Sequence, residues 1–264
     1  MTRPRELAKT LNMKQEHATF DAAAATNDLW TSLRGAANAL KAEDETFAPW
    51  LDDTILQAAH IGDAMARLLA QKLQTPHFPA AVFRDAYAAL CIRDTDLPRK
   101  IAHDIQTVLH NDPAAHNALR PFLFFKGFHA LQCHRLAHDL WHHGRQPLAL
   151  FVQNRVSDLF GVDIHPAARI GSGIMFDHAT GIVIGETAVV EDEVLFWHGV
   201  TLGGRAFAPE DRHPKVRKGA QIGSSATILG NIEIGAGAKI AAGSIVVKSV
   251  PAGATAAGTP AKII

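Results

Sequence analysis

The chain has 264 residues, 47% of them hydrophobic, with 26 Lys plus Arg against 26 Asp plus Glu. That length allows two domains with ample cores, and the charge balance removes the usual electrostatic reason to expect nucleic acid or an acidic membrane as partner. Cys91 and Cys133 match no paired or zinc-ligand spacing and are expected as buried free thiols in a reducing compartment, and no apolar run approaches the roughly 20 residues that span a bilayer. The polar opening at residues 1–6 lacks a signal peptide's apolar stretch, so the expected location is the cytoplasm.

Residues 1–160 read as an α-helical domain. Apolar side chains recur at three and four, as in Ile61, Met65, Leu68 and in Ile101, Ile105, Leu109. Breakers at Pro76, Pro79, Pro98, Pro113, Pro121 and Gly144 divide the region into about five to seven helices, with turns at Asp94-Thr95-Asp96 and Asn111-Asp112-Pro113. His134, His138 and His142 share one helical face, which allows metal chelation geometrically, but no acid or cysteine completes a site. They are expected as a solvated or interfacial stripe.

From residue 161 the helical period fails and a period of six replaces it. Ile164, Ile170, Phe176, Ile182, Ala188, Val194 and Val200 follow it, and Val216, Ile222, Ile228, Ile234, Ile240, Val246 and Ala252 resume it. Twelve of these fourteen are Ile, Val or Phe, a regularity that random placement does not produce. The expected fold is a left-handed parallel β-helix over 161–264: three short faces per coil, one inward apolar residue per face, and coils rising by about 4.8 Å. A β-sandwich would instead alternate at two. The whole chain is thus α+β by segregation, helices first and β-helix second.

Between Val200 and Val216 one hexad carries ten extra residues, so a loop excursion at 203–215 leaves the coil. It holds Asp211-Arg212-His213, and insertions in solenoids are common places for function. The early coils carry further polar segments: Asp163-Ile164-His165-Pro166, Asp177-His178-Ala179-Thr180-Gly181 and Gly185-Glu186-Thr187. Asp163 and His178 are fifteen residues apart, close to one eighteen-residue coil, which places a carboxylate near an imidazole on adjacent coils. Such a pair orients a histidine as general base for a hydroxyl, although lone surface histidines are equally common.

These segments, with Lys126-Gly127-Phe128-His129-Ala130-Leu131-Gln132, Val200-Thr201-Leu202-Gly203-Gly204, Asp211-Arg212-His213-Pro214-Lys215 and Ala257-Gly258-Thr259-Pro260-Ala261, resemble the serine acetyltransferases of cysteine biosynthesis. The likeness extends more weakly over the helical half, at Asp104-Ile105-Gln106 and Asp112-Pro113-Ala114. It implies acetyl transfer from acetyl-CoA to the hydroxyl of L-serine by direct attack. His178 is then the base and Asp163 its carboxylate partner. His213, paired with Glu186, holds substrate and stabilises the developing charge. Asp112 and Asp177 receive the amino and hydroxyl end of serine, and Arg212 its carboxylate. The chemistry is consistent, since an amino acid needs carboxylates for its ammonium and a guanidinium for its carboxylate. Acetyl-CoA is expected in a groove between subunits near Gly204, Ser224 and Ala242, with Lys262 meeting a phosphate.

The resemblance further implies feedback inhibition by L-cysteine, and trimers formed by the β-helix and paired into hexamers through the helical domain. The uncharged stretch Gly219 to Ile232 fits buried contacts. Members tether O-acetylserine sulfhydrylase through a C-terminal tail ending in isoleucine. This chain ends in Ile264 almost directly after Gly258-Thr259-Pro260, so that complex is not expected. Residues 205–209 are bulkier than the glycine-rich stretch of the family, and Trp197-His198 also departs from it, which keeps homoserine or another small hydroxyl acceptor open. His178, His198 and His213 raise the alternative of a β-helix carbonic anhydrase, although their spacing is not the paired pattern of its zinc ligands and no metal is expected. A non-catalytic binding scaffold is the remaining alternative.

Overall fold

The structure is a computed structural model that describes residues 22–205 and 210–264. The polar opening at 1–6 and the bulky apex of the excursion at 206–209 lie outside the described residues. Among the described residues no helix is long and apolar enough to cross a membrane.

Among the described residues eight α-helices come first: α1 (Ala22–Glu43), α2 (Ala48–Leu51), α3 (Ile61–Leu73), α4 (Ala80–Arg93), α5 (Leu97–Asn111), α6 (Leu119–Phe124), α7 (Lys126–His142) and α8 (Gln146–Phe160). The periodicity implied about five to seven. Two of the eight, α2 and α6, are too short to show a repeat of 3.6. Pro98 and Pro121, read as breakers, sit in the first turns of α5 and α6, where a missing N–H costs no helical hydrogen bond. Helix α7 is central and packs on α3, α4, α5, α6 and α8 as well as on two strands of the solenoid. Its three histidines are interfacial in part rather than one solvated stripe: His134 is buried, His138 Nδ1 lies 2.8 Å from the carbonyl of Pro166 in the first coil, and His142 is exposed. Cys133 is buried and Cys91 half-buried, both as free thiols.

Asp104 on α5 fastens the helices to the solenoid. Fully buried, it accepts hydrogen bonds from Arg135 Nη2 (2.6 Å), Gln132 Nε2 (2.8 Å) and the backbone N–H of Ile174 (3.1 Å). A carboxylate removed from water needs hydrogen-bond partners of this kind.

The chain then winds as a parallel solenoid. Its first coil is β1 (Val162–Ile164), β2 (Arg169–Ile170) and β3 (Met175–Phe176), and its second is β4 (Ile182–Ile184), β5 (Val189–Val190) and β6 (Leu195–Phe196). The third is β7 (Thr201–Gly203), β8 (Lys215–Val216) and β9 (Gln221–Ile222), and the fourth is β10 (Thr227–Leu229), β11 (Glu233–Ile234) and β12 (Lys239–Ile240). β13 (Ile245–Val246) and β14 (Thr255–Gly258) complete it, and β15 (Ala261–Ile263) folds back antiparallel on β14. Three sheets result: β1-β4-β7-β10-β13, β2-β5-β8-β11, and β3-β6-β9-β12-β14 closed by β15.

The register corrects the frame of six. Ile164 pairs with Ile184, Ile170 with Val190 and Phe176 with Phe196, each twenty residues on rather than eighteen. Two residues are therefore inserted in the first coil, within the turn 177–181. Val190 pairs with Val216, and Leu202 with Ile228, twenty-six residues on. The excursion thus adds eight residues to a coil, not ten. At the far end Ile240 pairs with Ala256, sixteen residues on, and Ala252 is exposed instead of stacked.

Side chains facing outward differ by sheet. On the first sheet Asp163, Val183, Thr201, Thr227 and Ile245 stand in one column, uncharged beyond the first coil. On the second sheet the column is Arg169, Val189, Lys215 and Glu233, bordered by ion pairs such as Arg217 with Glu191 (2.8 Å). The uncharged segment 219–232 wraps from one sheet to another. The continuous uncharged column is that of the first sheet.

Candidate active site

Two edges flank the first sheet, and the polar residues divide between them. The edge leading into it carries 177–181, where the two inserted residues force a tight double turn. Ala179 N–H donates to the carbonyl of Asp177 (2.6 Å) and Thr180 N–H to that of His178 (2.7 Å). His178 and Ala179 adopt left-handed backbone in succession, with φ of 54° and 58°, a conformation that L side chains seldom take. Ala179 is thereby buried while the His178 side chain is thrown outward, 80% exposed.

His178 stands on the wall of a cavity of about 310 Å³ at the seam between helices and solenoid, lined also by Val108, Asp112, Phe125, Met175 and Asp177. Asp112 caps the end of α5 and accepts a hydrogen bond from the N–H of Ala114 (2.8 Å). Two carboxylates and an imidazole thus face one small space. The carboxylate nearest His178 is that of Asp177, 3.9 Å from Nε2. Asp163 is turned elsewhere: its Oδ1 accepts from Gln153 Nε2 on α8 at 2.6 Å. The fifteen-residue spacing assumed an eighteen-residue coil, and the inserted turn changes where the histidine points.

The edge leaving the first sheet carries the second group. Arg212 Nη2 donates to Glu186 Oε2 at 2.6 Å, and this bond, chiefly, holds the Glu186 carboxyl below its usual range. His213 is therefore not the direct partner of Glu186. Its Nδ1 lies 2.8 Å from Thr187 Oγ1 and 3.2 Å from the N–H of Thr187, while that same hydroxyl oxygen accepts from the N–H groups of Arg212 (3.0 Å) and His213 (3.1 Å). Because Nδ1 accepts from the N–H of Thr187, the neutral ring carries its own proton on Nε2. Burial, then the cations Arg212 and Lys215, lower the His213 pKa and favour that neutral form. His165, on the same edge, is likewise lowered by burial.

Of the residues expected at acetyl-CoA, Ser224 and Ala242 fall on the His178 edge in later coils. That edge is a ladder of backbone hydrogen bonds: Gly199 N–H to Thr180, Ser225 N–H to His198 and Gly243 N–H to Ser224, each 2.8 Å. Gly204 falls on the His213 edge, at the foot of the excursion, and Lys262 on β15. The rings of His178 and His198 are 6.4 Å apart, whereas His213 is across the sheet from both. Among the described residues no three His, Cys, Asp or Glu side chains converge as metal donors. No spacing in the sequence singles out Thr187 as a partner, or Lys126 and Thr180, which hydrogen-bond to each other beside the cavity.

Two family profiles match the chain: "Serine acetyltransferase, N-terminal" over residues 29–133 and "Bacterial transferase hexapeptide (six repeats)" over 213–248. A serine acetyltransferase of Salmonella typhimurium is 49% identical over 236 residues, covering 89% of this chain and 86% of the relative. Among solved structures, a Brucella abortus serine acetyltransferase in complex with coenzyme A superposes with a TM-score of 0.88 at 46% identity, covering 90% of this chain and 95% of the other. The soybean enzyme complexed with serine gives 0.88 at 41%, covering 91% and 99%. A further serine acetyltransferase, in complex with cysteine, gives 0.88 at 48%, covering 90% and 98%.

Proposed function

The chain belongs to the serine acetyltransferase family, acyltransferases that use acetyl-CoA, and from that premise we propose how its own residues carry out the transfer. The observation that carries the reading is the convergence of Asp112, Asp177 and His178 on one cavity. Two carboxylates suit the ammonium end of serine, and a neutral imidazole beside them takes the hydroxyl proton. The freed oxygen attacks the thioester carbonyl, the tetrahedral adduct collapses, the C–S bond breaks, and the imidazolium returns its proton to the departing thiolate. His213, with its proton on Nε2, is suited to donate a hydrogen bond to the developing oxyanion. Arg212, oriented by Glu186, receives the serine carboxylate as a bidentate fork. Asp163 is assigned to orienting the His178 edge through α8.

His178 and the Arg212–His213 pair stand on opposite edges of one sheet, so a single copy does not assemble this set. The uncharged column Val183, Thr201, Thr227 and Ile245 lies between them. Copies packed through that face as a closed ring set the His178 edge of one against the His213 edge of the next. We read the oligomer as a trimer of this kind, with the helical part free to pair trimers. Acetyl-CoA lies along the His178 edge past Ser224 and Ala242, with Gly204 contributed across the interface and Lys262 near its phosphates. Cysteine shares the ammonium and carboxylate of serine and is expected to compete at the same place.

Release of free thiol from acetyl-CoA in the presence of serine, homoserine or a sugar tests the reading. Turnover with serine supports it, and turnover with the sugar alone refutes it.

A further inference from the structure

We propose that Lys126 is a positioning residue for the transfer: its ammonium, anchored on Thr180, holds the turn that aims His178. The proposal rests on the reading of His178 as the base.

The turn at 177–181 has little reason to keep its shape unaided. It is an insertion in the coil, it sets His178 and Ala179 successively at positive φ, and neither residue is a glycine. Beyond its own short hydrogen bonds, further contacts hold it from outside. Gly181 N–H donates to the carbonyl of Gly161 (2.7 Å), and Gly199 N–H to that of Thr180 (2.8 Å). The first turn of α7 closes on the other side. A Cβ on Gly127 would stand 2.1 Å from the carbonyl oxygen of Phe176, so α7 rests directly on the backbone where the turn begins. Lys126, one residue earlier, donates a hydrogen bond to Thr180 Oγ1, where the turn ends.

Lys126 is also misplaced for helix stability. It is the first residue of α7, whose first turn has no acidic side chain, so its charge sits against the positive end of the helix dipole. That position is explained by the contact with Thr180. Among the described residues no hydrogen bond joins Lys126 to the His178 ring, although both line the cavity, and its effect passes through the turn. Displacing a reacting group by about 1 Å can cost on the order of 100-fold in rate.

The test uses the full-length enzyme in the variants Lys126→Met, Thr180→Val and Thr180→Ser, together with the Lys126→Met/Thr180→Val double variant. The clamp predicts that Lys126→Met and Thr180→Val each lower kcat roughly 10- to 100-fold, with KM for serine and acetyl-CoA within about twofold of wild type. The double variant falls no further than Thr180→Val alone, because that change already removes the bond to Lys126. Thr180→Ser, which keeps the hydroxyl, stays within about threefold of wild type. Equal melting temperatures exclude a general folding loss. Wild-type kcat in Lys126→Met overturns the proposal. So does a normal Thr180→Val, or a Lys126→Met defect confined to KM for serine, which would make Lys126 a substrate contact. His178→Ala, run alongside, separates the two claims: an active His178→Ala refutes the base, whereas an inactive one beside unimpaired clamp variants refutes the clamp alone.

Discussion

The imidazole of His213 occupies the space that a side chain on Gly185 would need, with Nε2 2.0 Å from where the Cβ would stand. The ring is seated on backbone, and Thr187 fixes its other nitrogen. Gly185→Ala must push the ring off this seat. The expected result is a loss of roughly 10- to 100-fold in kcat with the far-UV spectrum and oligomer size unchanged. A normal rate would show that the seat of His213 is unimportant.

Glu186 is expected to act through Arg212. Replacing it with Gln removes the charge from a 2.6 Å contact whose partners are both partly exposed, so the effect is modest. KM for serine should rise roughly two- to fivefold, and kcat should change less. A fall in kcat at constant KM would instead assign Glu186 to the chemical step.

Acid stability depends on His129. It is fully enclosed, with Nε2 2.8 Å from the carbonyl of Phe122, and burial pushes its pKa down to about 3 from about 6.5. Between these values the unfolded chain binds a proton that the folded chain refuses, so stability falls as pH drops below the unfolded value. The melting temperature of wild type should fall more steeply between pH 7 and 4 than that of His129→Gln. Parallel curves would contradict this.

The composite site predicts complementation. His178→Ala and His213→Ala, each inactive alone, should regain a fraction of wild-type activity when co-expressed, because a mixed ring contains interfaces where both histidines are intact. Val183→Glu combined with Ile245→Glu, which charges the outward column of the first sheet, should yield smaller, inactive species by size exclusion. Active monomers would refute the shared site.

The solenoid was legible because Ile, Val and Phe mark its inward positions, and the helical half because its apolar residues keep a 3.6 period. The frame was not. Ile182, Ala188, Val194 and Val200 continue the count of six from Phe176, yet the residues that stack on Ile164, Ile170, Phe176 and Ile184 are Ile184, Val190, Phe196 and Leu202. Both sets are buried, because each hexad has two inward positions two residues apart, so a slip of two leaves the hydrophobic pattern intact. The pairings suffered from the same blindness. Which of the adjacent Arg212 and His213 meets Glu186 is decided by the return path of the excursion. Whether Asp163 meets His178 is decided by the inserted turn, and composition records neither. Thr187 and Lys126 act through local hydrogen bonds, which leave no periodic trace.

The most direct measurement is the rate of thiol release from acetyl-CoA with serine for His178→Ala against wild type, at equal oligomer size. A positioned general base contributes about 10²- to 10⁴-fold, and a loss in that range is predicted. Activity within about tenfold of wild type would contradict His178 as the base.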